Sequence, residues 1–538
     1  MRTDKVIDFH TARQKALKGN RTLWEQRWQD VVTYLMPWKE TVVGEGMTGE
    51  RRTDKMFDGT PSQALNILSA GLMGHLTSET SPWYQYAVVN PQVGEDPDVK
   101  EWLQTVTRID IQRLGQTNFY QIILEFYEDL CGFGTAHMFQ AEDPQEIRRF
   151  YVFPPREVTV AENHRGECDT HYREYAQSVR ELAQEFGEEA LSRDARDVLK
   201  TDPDKRVTII HGTFPREDWI PDRIGDKGKP FAALYWEKAS LHPVDEGGYW
   251  EDPWHTARWR KTSREHYGRG PGIDAMPDIK TLHKQRRSDL LAGQKIVEPP
   301  LWVPSSLVGR LRTSPNAVNY FRRNTGGEKP EALGSILGNV PFGMEMTNDT
   351  RELVKQAFFV DVFLMLSHQT GNMTATEVAE RVQERLMILG PAVGRLHSEA
   401  LGPGVERGFA IMARAGLFPA PPEALKDQSL SVDYISPLAK ALRALEGRAT
   451  ANAMQFAAPF LQLDPEASIV FDAKKAIRRG WDLYGAPTEA LRDEEEVEII
   501  EEERAKLQQM QMMLAMAQQG AMTQKIGEEA ESARAARR

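Results

Sequence analysis

A chain of 538 residues exceeds what one hydrophobic core usually supports, so about three or four structural units are expected, and 40% apolar content with 27% charged residues excludes a chain that stays disordered. The net charge of −12 excludes a protein that grips nucleic acid through surplus Lys and Arg, but not one that encloses DNA and lets it slide. Cys131 and Cys168 lie far apart and in no C-x-x-C or Cys/His pattern, which argues against a disulfide framework or zinc site and suits a reducing cytoplasm.

Met1 to Asn20 alternates in charge without an apolar stretch, so no secretory signal is expected. Leu17, Trp24, Trp28, Val31, Val32 and Leu35 predict an amphipathic helix over 9–35, stopped by Pro37. Thr60 and Pro61 read as N-cap and first-turn proline of a helix through Leu72, and further helices are predicted over Asp98 to Leu114 and Phe119 to Leu130. Near Phe150 the period changes. Glu157 to Ala161, Cys168 to Tyr175, Arg206 to Thr213 and Phe231 to Lys238 predict strands, with helices over Ser178 to Phe186 and Glu189 to Leu199, which makes an α+β unit. His242 to Trp259, rich in Pro, Gly and Trp, reads as a loop.

Gly268 to Gly272 breaks the chain before a polar, basic helix over Asp274 to Gln294, and Pro299, Pro300 and Pro304 end it. A Gly/Pro-punctuated stretch runs to Asn348, followed by helices over Asp349 to Ser367 and Thr374 to Leu389 on either side of a short polar break. Ala357 to Leu366 is apolar nearly all round, which means burial on several sides, in a subunit core or between subunits. It is about half the length of a membrane helix and carries Asp361, so no membrane span is expected. A helical part over Leu438 to Tyr484 precedes a tail rich in Glu, Gln and Met, in which Ile500, Leu507, Leu514 and Ala521 form only a weak heptad seam.

Motifs for chemistry are missing. No G-x-x-x-x-G-K-[ST] or G-x-S-x-G occurs, and Gly268 to Gly272 makes a poor phosphate loop because Pro271 removes a backbone donor. The acidic and histidine residues between His242 and His255 fit no metal-binding spacing, so no cofactor, metal or catalytic residue is expected.

Several segments, in order, resemble the head-to-tail connecting (portal) proteins of short-tailed phages. They are Asp58-Gly59-Thr60, Ala70 to Met73, Ser81-Pro82-Trp83, Phe126 to Gly134, Phe150 with Pro154-Pro155, Arg258-Trp259, Tyr267 to Gly272, Asp278-Ile279-Lys280, Met373 to Val378, Leu389-Gly390-Pro391 and Asp433 to Ala439. The resemblance covers residues 10–440 and gives out beyond about 490. It implies a helix-rich α+β portal fold assembled as a dodecameric ring. The wing would take residues 1–273 and 374–437, the stem helices 274–294 and 349–367, the clip 295–348, the crown 438–490 and a helical or disordered tail 491–538. The channel loop would be His368, Gln369, Thr370, Gly371, Asn372 and Met373. Stem and inter-subunit packing would fall to Lys280, Lys284, Arg286, Arg287, Phe358, Phe359, Val362 and Phe363. Implied partners are further copies of the chain, the terminase large subunit, tail adaptor and tail tube proteins, scaffold and major capsid protein, and double-stranded DNA without sequence specificity. The implied place is the capsid vertex of the virion, reached from the host cytoplasm. A capsid or tail protein without a channel, or a phage nuclease or protease, are the alternatives.

Overall fold

The N-terminal helical stretch begins at Thr3 and splits at Arg21 into α1 (Thr3–Asn20) and α2 (Thr22–Tyr34). The break has a cause: the Arg21 guanidinium, 2% exposed, donates to the carbonyls of Pro155, Arg156 and Val158 at 3.1, 2.9 and 2.7 Å, tying the helix corner to the sheet below. The computed structural model describes residues 3–298 except 45–48, 50–51, 95, 218 and 222–224, then 301–303, 310–311, 320, 331–332, 340–367 and 388–435 except 427, and scattered positions from 456 to 511. The chain divides into two units, Met1–Leu442 and Arg443–Arg538. In the second, the described residues are scattered helical positions on which Ile499, Leu507 and Met510 are exposed.

Asp58 accepts from the Thr60 amide at 2.9 Å to start α3 (Thr60–Leu76). After β1 (Tyr84–Val88) come α4 (Pro97–Leu114) and α5 (Phe119–Phe133). Trp28, Val31, Leu65, Leu68, Val106, Ile123 and Phe126 from these helices form the main core. The strands that follow are β2 (Thr135–Asp143), β3 (Ile147–Phe153), β4 (Val158–Glu162) and β5 (Cys168–Ser178); then, past α6 (Val179–Phe186) and α7 (Arg193–Thr201), β6 (Arg206–Pro215), β7 (Phe231–Glu237), β8 (Pro243–Tyr249) and β9 (Trp254–Arg258). They make a three-stranded sheet in the order β3-β2-β9 and a five-stranded antiparallel sheet β4-β5-β6-β7-β8.

The stretch from His242 to Trp259, expected as a loop, is therefore largely strand. β8 is a sheet edge, where proline and paired glycines are tolerated, and β9 is buried throughout and lacks the alternation that marks a half-buried strand. β2 was hidden for the same reason, since its first six residues are all buried.

Past the sheets, α8 (Met276–Val297) runs out to a two-residue ladder of β10 (Leu301–Trp302) with β11 (Glu331–Ala332), and α9 (Val340–Ala357) returns. The return helix starts at Val340 rather than 349 and does not continue to Ser367: Phe359, at φ +55, breaks it before α10 (Val360–Ser367). Residues 388–396 are helical, a π turn spans His397–Leu401, and α11 (Gly402–Arg414) leads towards β12 (Leu430–Tyr434), which pairs antiparallel with β1.

Gly268 to Gly272 is packing, not a phosphate cradle. α5 ends on Gly134 in the left-handed conformation (φ +78), and a Cβ there would lie 2.5 Å from the Gly268 carbonyl. A Cβ on Gly270 would lie 2.8 Å from the carbonyls of Leu130 and Cys131, and one on Gly272 2.6 Å from that of Gly132. Backbone meets backbone with no room for a side chain.

One face of the five-stranded sheet carries Tyr172, Ile210, Phe214, Leu234 and Trp236 and is covered by α1 through Ile7. The other meets β2 and β9 across four buried histidines. His137 Nδ1 and His171 Nε2 each lie 3.0 Å from the Thr256 hydroxyl, His255 Nε2 lies 2.9 Å from the Gln140 amide oxygen, and His211 stacks on Tyr235 at 4.1 Å. Burial holds these imidazoles neutral, pushing His137, His211 and His255 down to about 3 and His171 well below its ordinary value. Asp252, raised to about 8 by burial, acts in the opposite sense.

Two predictions follow from this packing. G134A should destabilise the protein by about 2–5 kcal/mol in denaturant unfolding, because it combines left-handed strain with a backbone clash. For the histidines, a native pKa below the unfolded value of about 6.5 gives stability that is complete above that pH and is lost as pH falls towards 3. H211F keeps the stacking but removes one such proton. Its stability relative to wild type should therefore rise by about 1.4 kcal/mol for each pH unit between 6 and 4.

Candidate functional site

The helical pair α8 and α9 leaves the body of the protein at one end only. Asp289 on α8 accepts from the Thr347 hydroxyl on α9 at 2.8 Å. Nearer the body, His283 of α8 and Arg351 of α9 both reach the 57–58 segment, so the helices run antiparallel. The 22 residues of α8 span about 33 Å at 1.5 Å per residue.

The base of the pair is anchored by specific contacts. Met276, Ile279, Leu282 and His283 are buried on α8, as is Val354 on α9. Lys280 pairs with Asp30 at 2.7 Å and lies over the Tyr34 ring. Arg351 donates twice to Asp58 Oδ2, at 3.0 and 2.7 Å, which with the Thr60 bonds holds that carboxyl below its ordinary range despite burial.

Beyond the base the surface changes. Leu290, Leu291, Ile296 and Val297 on α8, and Met344 and Met346 on α9, are between 40% and 81% exposed, and Leu353, at the base of α9, is 53% exposed. The sequence signal existed, as two apolar pairs inside a polar segment, but its meaning needed the helix to project. Lys284, Arg286 and Arg287 form no ion pair among the described residues; Arg287 lies over the Phe57 ring at 5.8 Å. Of the nearby acids, Asp30 pairs with Lys280 and Asp289 accepts from Thr347.

The apolar segment packs inward. Phe358, Val362 and Phe363 belong to the main core, with Phe359 partly buried against Trp259 at 6.4 Å. The Phe363 ring lies flat on the backbone of Gly71, where a Cβ would come within 2.6 Å of it, and on His75. Intrachain packing thus accounts for these four residues, while Leu364 of α10 is 41% exposed. His368, Gln369, Thr370, Gly371, Asn372 and Met373 lie outside the described residues, as do 374–387, 436–455 and nearly all of 299–339.

Other residues singled out in the sequence are structural. Arg258, 2% exposed, donates to both Glu399 oxygens at 3.1 and 2.7 Å and pairs with Glu162, so β9 and β4 are fastened to the π turn. Glu251 pairs with Arg407 and Arg414, Glu246 with Arg216, and His255 turns inward to Gln140, which disperses the acidic and histidine residues of that stretch to separate partners. No group of His, Cys, Asp or Glu that could hold a metal ion occurs among the described residues. None of their helices is long and apolar enough to cross a membrane.

Comparison with known proteins finds similar phage proteins that align over nearly the whole chain. The portal protein of Salmonella phage epsilon15 is 31% identical over 519 residues, covering 94% of this chain and 93% of its own length. A probable portal protein of Bordetella phage BPP-1 is 30% identical over 520 residues, covering 94% and 92%. A solved chain from the virion of a native gene transfer agent particle aligns over 82% of this chain and 98% of its own at 12% identity, with a TM-score of 0.35, too slight a likeness to compare folds. Residues 10–491 match the family of bacteriophage head to tail connecting proteins. The chain therefore belongs to that family and is a structural portal-type protein, not an enzyme.

Proposed function

We propose that copies of this chain close into a ring at one capsid vertex, through which viral DNA is packaged and later ejected. The observation that carries the reading is the exposed apolar surface of α8 and α9. Leu290, Leu291 and Val297 on the projecting part of α8, and Leu353 at the base of α9, are exposed among the described residues, and a neighbouring copy would remove them from water. Heterologous contacts of this kind close into rings when the rotation between subunits allows it.

On this reading α8 and α9 are the stem, the segment between Val297 and Val340 is the clip, 368–373 is the channel loop, the sheets and surrounding helices are the wing, and 438–490 is the crown. The terminase large subunit docks on the clip during packaging, tail adaptor and tail tube proteins replace it, and scaffold and major capsid protein surround the wing. Lys284, Arg286 and Arg287, which form no ion pair among the described residues, bear on how DNA passes, since duplex DNA carries one negative charge per ~1.7 Å and cations facing it would hold it in place. Pairing with acidic groups of a neighbouring copy, within the overall charge of −12, leaves the channel able to let DNA slide.

Two measurements test this. L290E combined with L353E should shift purified protein from rings to monomers in sedimentation while leaving monomer stability within about 0.5 kcal/mol, as expected of exposed positions; rings unaffected by the pair, or monomers only from wild type even with scaffold protein, would overturn the reading. For the channel, DNA affinity of assembled rings should depend shallowly on salt. A steep dependence that disappears in R286A and R287A would show instead that these cations grip the duplex.

A further inference from the structure

His283 sits where three pieces of chain meet at the base of the helical pair, and it is 2% exposed. Its Nδ1 accepts a hydrogen bond from the Phe57 backbone N–H at 3.1 Å, and its Nε2 donates one to the Tyr34 carbonyl at 3.1 Å. The partners dictate the protonation state. A backbone N–H can only donate and a carbonyl can only accept, so both bonds coexist only when Nδ1 is bare and Nε2 carries the proton. An imidazolium carries hydrogens on both nitrogens and would set Nδ1–H against the Phe57 N–H.

The surroundings do not favour the extra charge. On α8 itself Lys280 lies one turn before His283 and Arg287 one turn after, with Lys284 beside it. From α2 come the Tyr34 ring, 5.8 Å away, and Asp30, which is committed to Lys280. From the 57–58 segment comes Asp58, committed to Arg351 of α9 and to the Thr60 amide. Both carboxylates are thus already paired with cations before any proton is added. Burial lowers the imidazole's pKa, with the Tyr34 carbonyl and Asp58 opposing it.

We propose that His283 is a proton-sensitive pin: neutral, it ties the end of α2 and the 56–59 segment to α8, and protonated, it releases Phe57. The consequence reaches α9, because the Asp58–Arg351 pair that anchors that helix hangs from the same short segment. One imidazole thereby controls how firmly both helices are seated. The pin stands on these contacts alone; that the helices it seats are the stem rests on the function proposed above. The sign follows from the lowered native pKa: the tie is complete above the unfolded value of about 6.5 and is lost as pH falls below it.

Hydrogen exchange of the full-length protein, read by mass spectrometry on peptides covering 52–59 between pH 7.5 and 4.5 and corrected for intrinsic exchange, tests the pin in wild type, H283Q and H283F. Glutamine offers an acceptor and a donor at similar separation and does not titrate. Protection of this segment in wild type should fall by about tenfold across the range, the worth of one net hydrogen bond, while H283Q stays level and H283F is low throughout. An equal fall in wild type and H283Q, or a level profile in both, would overturn the proposal. The readout is local and is obtained on monomer or ring, so failure of ring formation, seen separately in sedimentation, would leave it standing.

Discussion

Four glycines let the C-terminus of α5 and the 268–272 turn share one volume. Gly134 reverses the chain from α5 into β2, and Gly268, Gly270 and Gly272 bring the strand-to-helix connection from β9 to α8 into direct backbone contact with it. Each of these elements then has a fixed start. β2 leaves Gly134 already in register with β9, Thr135 opposite Arg258, and the Thr135 hydroxyl accepts from the Gly268 amide at 2.8 Å. The direction in which α8 projects is thereby set by a contact too close for any side chain, which is a stiffer constraint than apolar packing, since side chains can move to other rotamers and two touching backbones cannot.

Charge is distributed in keeping with that division between a fixed body and a projecting pair. Inside the body, buried arginines are matched. Arg148 donates to Asp110 at 2.6 Å, and that carboxylate also accepts from the hydroxyls of Tyr84 and Tyr86 at 2.6 Å; Arg407 donates to Gln140 O, Glu251 O and Glu251 Oε2. Removing one member of such a buried pair strands the other, so these networks specify a single arrangement more than they add stability. On the projecting helices the rule relaxes: Lys280 of the basic run is paired, and Lys284, Arg286 and Arg287 form no ion pair among the described residues. Among the described residues, cations without an ion pair and exposed leucines occur on the same pair of helices.

The helices were legible in the sequence because apolar residues recur at helical spacing, as at Trp24, Trp28, Val31 and Leu35, all buried. Four strands of the larger sheet were legible as short runs rich in β-branched and aromatic residues bounded by turns. β2 and β9 were not, because a strand buried on both faces shows no alternation, and His137, Gln140 and His255 in them look like surface residues until the partners Thr256 and one another are known. The break at Phe359 carries no mark either, since a phenylalanine in a left-handed conformation is held there by the packing of Phe358 and Trp259 and not by its own preference. The base of the helical pair was invisible for a simpler reason. Phe57, Asp58, His283 and Arg351 are separated by up to 294 positions, and nothing local in any of them announces the others.

A subunit that joins copies of itself, as proposed for this chain, faces a conflict between folding alone and leaving a surface unfinished. This chain separates the two needs in space. Its core and satellite clusters, with the glycine contact and the arginine networks, lie in the body and do not depend on a neighbour. The projecting helices are held at the base by directional contacts, an ion pair, a bidentate arginine and an imidazole bonded on both sides, and those fix orientation at little apolar area. What remains beyond the base is apolar surface that gains by burial against a partner, roughly 25 cal/mol for each Å² removed from water. On the proposed assembly, folding and ring formation are driven by different residues, and the joint between them is the place where a change in protonation or sequence would alter assembly geometry without unfolding the body.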